Sequence, residues 1–143
     1  MAFLKTAILI FLALFLLIGM ASSHRAYFQV RSLELHADPT LRTGTTIQTT
    51  VISSGRTYVD VQIELVQEGH SQTLAVQCVP GNEYAFFDPR TQQASLAVVL
   101  TPEIIARFKA GPAQLRAAAR GRSQWTRVPP PVVRELDVEI KRE

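Results

Sequence analysis

One cysteine, Cys78, stands in the whole chain of 143 residues, so no intrachain disulfide is open to it. Its surroundings, "TLAVQCVPG", read as a strand, and the expectation is a buried, inert thiol. Histidine is scarce as well. His24, His36 and His70 fall in no HExxH pattern, and no CxxC exists to anchor zinc. His36 and Asp38 at a strand end are expected to be solvated rather than to share an ion. The chain has no G-x-S-x-G elbow, no S-x-x-K and no glycine-rich phosphate loop. Its acids are spread along strands instead of paired in a cleft. These absences set the expectation of a protein that is not an enzyme and takes no metal and no small-molecule cofactor. The only tryptophan, Trp125, is not part of a series of aromatics interleaved with basic residues, which argues against nucleic acid as a partner.

What the chain does have begins with an unbroken apolar run, Ala7 to Ala21, inside "MAFLKTAILIFLALFLLIGMASSHRA". A buried soluble helix would show a polar face, and this run shows none. It is therefore read as a membrane-directed segment over 1–23, followed by one extracytoplasmic β-domain over 24–143. Two fates are open to the segment. Counted from Ala2, with Lys5 snorkelling to the interface, it is long enough to anchor the chain. The small residues Gly19 and Ala21 also suit cleavage, which would leave a periplasmic or secreted domain. No cysteine borders the run, so a lipoprotein anchor is excluded.

Beyond it the dominant period is two. Ile47, Thr49 and Val51 share a face, as do Val59, Val61, Ile63 and Leu65; Leu96, Val98 and Leu100; Leu115, Ala117 and Ala119; and Leu136, Val138 and Ile140. Turn residues fall between these runs at Asp38-Pro39, Ser54-Gly55, Glu68-Gly69, Pro80-Gly81, Asp88-Pro89 and Gly121. Short strands at this spacing predict a single all-β antiparallel sandwich. In "YFQVRSLEL" the apolar phase slips, which predicts a bulge near Arg31-Ser32 or a change of sheet there. "LTPEIIARFKAGP" breaks the pattern and predicts one short helix over about 102–110. Thr101 would cap it, Pro102 would open it and Gly111 would stop it.

Basic residues cluster late. Arg107, Lys109, Arg116, Arg120, Arg122, Arg127 and Arg134 lie between Glu103 and Glu135 with no acid among them. Arg116, Arg120, Arg122, Trp125 and Arg127 are the candidate interaction residues. Arg116 and Arg120 project outward from one strand, and Glu135, Asp137 and Glu139 from the next. If those strands pair, the charges neutralise each other across the ladder. If they do not, the arginines offer a face for an anionic glycan or lipid head group. Trp125 reads either as core at one end of the sandwich or as an interface anchor. Pro129 to Pro131 lack the spacing of a PxxP ligand and read as a polyproline II kink in an edge strand.

The stretch "LRTGTTIQTTVISSGRTYVDVQIELVQEG" resembles the opening strands of immunoglobulin-like sandwiches common in bacterial envelope proteins. It is similar in particular to bacterial cell-adhesion-related modules, over about residues 39–69. Gly44 precedes an alternating strand, Ile47 to Val51. Ser53-Ser54-Gly55 makes the tight turn, and Val59 to Leu65 is the second alternating strand. The resemblance implies a non-catalytic, immunoglobulin-like module used for spacing or contact. The expected partners are the membrane, through the N-terminal segment, and a protein of the cell envelope.

Overall fold

The computed structural model describes residues 2–26, 29–54, 58–81, 91–121 and 130–142. Helix α1 (Ala2–Ala26) continues past Ser23. It contains an 18-residue apolar span, Phe3–Met20, none of which is buried against the rest of the chain. Eight strands follow among the described residues: β1 (Gln29–His36), β2 (Thr40–Leu41), β3 (Thr46–Ser54), β4 (Val59–Gln67), β5 (His70–Val79), β6 (Thr91–Val99), β7 (Gly111–Gly121) and β8 (Val132–Ile140), with helix α2 (Pro102–Ile105) between β6 and β7.

The strands form two sheets, one of order β1-β3-β6 and one of order β2-β8-β7-β4-β5. The larger curls into a half-barrel. The expected inward faces of β3, β4 and β7 are the buried ones: Ile47, Thr49, Val51, Val59, Val61, Ile63, Leu65, Leu115, Ala117 and Ala119. Two apolar clusters fill the space between the sheets. One gathers Leu41, Ile47, Ile63, Leu65, Leu100, Leu115 and Ile140 with Ile105 and Phe108 below α2. The other gathers Leu33, Val51, Val59, Val61, Val79 and the small Ala117 and Ala119. Leu35 and Leu96 pack against both. Thr49 Oγ1 is buried without a hydrogen-bond partner, an internal cost to the core.

The expected slip in β1 is present, since its register against β3 shifts between Val30 and Ser32. Glu68-Gly69 closes the β4–β5 hairpin with both residues at positive φ, 52° and 77°, the geometry whose twist matches the flanking strands.

Three expectations are corrected. The sandwich is not purely antiparallel, because β2 runs parallel to β8. After β1 the chain leaves the smaller sheet, and two residues suffice to catch the larger one. Glu139 N–H donates to Pro39 O at 2.8 Å and Lys141 N–H to Leu41 O at 2.9 Å. The second correction shortens the helix. Ala106 N–H still reaches Pro102 O, but Arg107 N–H turns to Ile104 O and Phe108 N–H to Ile105 O, tightening the chain into a 3₁₀-like turn. That turn drives Phe108 into the core.

The third correction concerns Cys78, which is exposed. Simple alternation puts Leu74, Val76 and Cys78 on one face. The register of β5 against β4 instead shifts at Leu74, with Ile63 facing Ala75 and Glu64 facing Thr73. Leu74 stays on the core, whereas Val76 and Cys78 move to the outward face opposite Gln62 and Asp60.

Candidate functional site

The outward face of the five-stranded sheet carries most of the residues singled out from the sequence. The expected pairing of β7 with β8 is present, and it sets Arg116 opposite Glu135. Arg116 Nε donates to Glu135 Oε1 at 3.0 Å, with both side chains partly solvated. On its other side Arg116 faces Glu64 of β4. One row further, Gln114 Nε2 donates to Asp137 Oδ1 at 3.3 Å. An exposed ion pair of this kind contributes about 0.2–1 kcal/mol, so its main effect is to set charge and register.

Arg120 does not meet the acids of β8. The β7–β8 register ends at Ala119 and Val132, and Arg120 stands opposite Asp60 on β4 instead. Across this face the acids Asp60, Glu64, Glu135, Asp137 and Glu139 outnumber Arg116 and Arg120. The other candidates, Arg122, Trp125 and Arg127, lie outside the described residues, as does Pro129. Pro130 and Pro131 directly precede β8 and belong to no strand. The "QWTRV" half of the expected kinked strand also lies outside the described residues.

A second locus lies at the turn after α2, where no sequence motif stands. The turn after α2 is held from two sides by side chains far away in the chain. Gln67, 8% exposed at the end of β4, accepts from Lys109 N–H at 2.9 Å and donates to Lys109 O at 2.8 Å and Pro112 O at 3.3 Å. Arg142 donates through Nε to Phe108 O at 2.9 Å and also reaches Ala106 O at 3.1 Å. Beside it lies an open cleft of about 400 Å³ lined by Thr43, Pro102, Ile105, Ala106 and Arg142. Thr101 caps α2, its hydroxyl accepting from Ile104 N–H at 3.4 Å. The Thr101 hydroxyl, and then the Glu103 backbone N–H, hold the Glu103 carboxyl below its ordinary value. The slight stabilisation this implies is present above the ordinary glutamate range and fades as pH falls through the lowered value. A glutamine at a strand end reads as an ordinary polar position, so no sequence pattern marked Gln67. Arg142 lies two residues past Ile140, the last periodic apolar residue, so no pattern marked it either.

His36 Nε2 lies 3.4 Å from Glu34 Oε2, both side chains exposed. Among the described residues no group of three or more His, Cys, Asp or Glu side chains is placed to hold a metal ion.

No protein-family model matches the sequence, and no curated protein matches it. Solved structures give distant likenesses to β-rich proteins. The sulfur carrier protein SoxY from Chlorobium limicola f thiosulfatophilum is 11% identical, with 80% of this chain and 88% of that one covered at a TM-score of 0.41. The sporulation control protein Spo0M from Bacillus subtilis is 10% identical, with 81% and 51% covered at 0.39. A protein from Archaeoglobus fulgidus is 11% identical, with 80% and 100% covered at 0.38. Likeness at this level carries no ligand or partner over to this chain.

Proposed function

We propose that this chain is a non-catalytic, membrane-anchored module with an immunoglobulin-like β-sandwich held outside the cytoplasm, where it serves as a structural or protein-contact element of the cell envelope. The observation that carries this reading is α1. None of its 18-residue apolar span is buried, and the core clusters of the adjoining β-body draw on none of it. A helix that is apolar all round has lipid as its natural surroundings. At 25 residues it extends roughly 37 Å at ~1.5 Å per residue, enough to cross a hydrocarbon layer of about 30 Å. The immunoglobulin-like assignment draws support from the two facing sheets and from the Gly44 turn at φ 86°, whose N–H donates to Leu100 O at 2.8 Å.

The test is the intact mass of the protein purified from its own membranes. Anchoring requires the mass of a chain that retains α1. A mature N-terminus at Ser22 or His24 would sink the anchor and leave a released domain.

A further inference from the structure

The edges of the two sheets differ in how they are defended. Among the described residues nearly all of β8 lacks a second neighbour, since β2 pairs only with Glu139 and Ile140. That edge carries Glu135, Asp137 and Glu139 outward and is preceded by Pro130 and Pro131. Arg134 folds its guanidinium back onto Val133 O at 3.1 Å. Charges, prolines and occupied carbonyls of this kind discourage strand addition. The β1 edge bears Arg31, Glu34 and a bulge, and the β5 edge is bulged at Leu74.

Within the strand itself β6 has none of these devices, although Asp88, Pro89 and Arg90 precede it in sequence. "TQQASLAVV" holds no charged residue and no proline, and its register against β3 is unbroken from Thr91 to Val99. Among the described residues no strand pairs with its other side. The direction of its backbone groups follows from its end. Leu100 N–H donates to Thr45 O at 2.9 Å, and Leu100 O accepts from Gly44 N–H at 2.8 Å, so Leu100 turns both groups toward β3. By alternation Val98, Leu96, Ala94 and Gln92 do the same. Thr91, Gln93, Ser95, Ala97 and Val99 therefore turn theirs to the open edge. The same five residues are exposed, with Val99 at 56%.

We infer that this edge takes a second copy of the chain, β6 pairing antiparallel with β6 of its partner about a two-fold axis at Ser95. This register sets Ser95 opposite Ser95, Gln93 opposite Ala97 and Thr91 opposite Val99, with no charge facing a charge. A β8–β8 pairing in a similar register would set acid against acid, which is unfavourable. A second copy fits better than a charged peptide because the edge offers no charge to complement. Anchoring in one membrane would raise the effective concentration of such partners, and to that extent the choice of occupant rests on the proposed function. Pairing joins the two smaller sheets into one continuous sheet while α1 stays with the membrane.

The test uses full-length chains with Cys78→Ser as background, in native membranes and again in detergent micelles. Facing residues in a hydrogen-bonded pair have Cα atoms about 5.5 Å apart, within the ~4.4–6.8 Å that a disulfide spans. Under mild oxidation Ser95→Cys should convert most chains to a disulfide dimer. Gln93→Cys or Ala97→Cys alone should give little, and a mixture of those two variants should crosslink. Ala97→Pro added to Ser95→Cys should abolish the dimer, because the N–H it removes faces the open edge and not β3. Should that proline impair folding, Ala97→Lys defends the edge instead. Equal crosslinking of all three single-cysteine variants, or none from Ser95→Cys and none from the mixture, overturns the inference. Crosslinking at Ser95 in protein that has lost α1 would uphold the edge and remove the anchor.

Discussion

Deleting residues 2–23 is expected to move the protein completely from the alkaline-extracted membrane pellet to the soluble fraction, with its melting temperature nearly unchanged. The deleted segment contains the whole apolar span, Phe3–Met20. Each central Leu, Ile or Phe favours the bilayer by about 0.3–0.6 kcal/mol, so together they hold the chain by several. The β-body should not notice the loss, because neither core cluster includes a residue of α1. A graded version is Leu12→Arg, which costs insertion ~2.5–3.5 kcal/mol and should weaken retention without unfolding the domain. A deletion variant still pelleting with membranes would show that another surface holds the protein there.

The second large effect is expected at Gln67. Replacing it by Leu keeps the apolar bulk but leaves Lys109 N–H, Lys109 O and Pro112 O without their partner. Lys109 and Pro112 are themselves exposed, so water relieves part of the ~1–3 kcal/mol that an unsatisfied buried group costs, and a loss of ~1–3 kcal/mol is expected in urea denaturation. Gln67→Glu should do no better, since it aims a carboxylate at two carbonyl oxygens. Lys109→Ala removes only the exposed contact with Glu68 at 3.0 Å and should cost less than ~1 kcal/mol. If Gln67→Leu cost no more than Lys109→Ala, the clamp would be incidental and the turn would be held by Phe108 and Arg142.

The strands were legible because half-buried strands print their burial as alternation. Val59 to Leu65 and Leu115 to Ala119 are the clearest cases. Even the slip in β1 was readable, since Val30 and Leu33 bracket it with apolar residues of opposite phase. The bulge in β5 was not. Leu74, Val76 and Cys78 keep an apolar rhythm straight through it, and only pairing with Ile63 and Glu64 shows that an extra residue is inserted. The parallel β2 left no trace either, because two residues carry no period. In the candidate site, the Arg116–Glu135 pair followed from outward faces on adjacent strands. Arg120 went to Asp60 because the end of a register is decided in three dimensions. Gln67 and Arg142 act on backbone groups some forty and thirty-five residues away, a relation that no local pattern encodes.

The chain's only thiol gives the most direct measurement of where the β-body sits. Cys78 is exposed on β5, well within that body. In cells stripped of any outer barrier but with an intact inner membrane, a membrane-impermeant maleimide should label Cys78 as fully as it does after lysis. Labelling that appears only once the cells are lysed would place the domain in the cytoplasm and contradict the extracytoplasmic assignment.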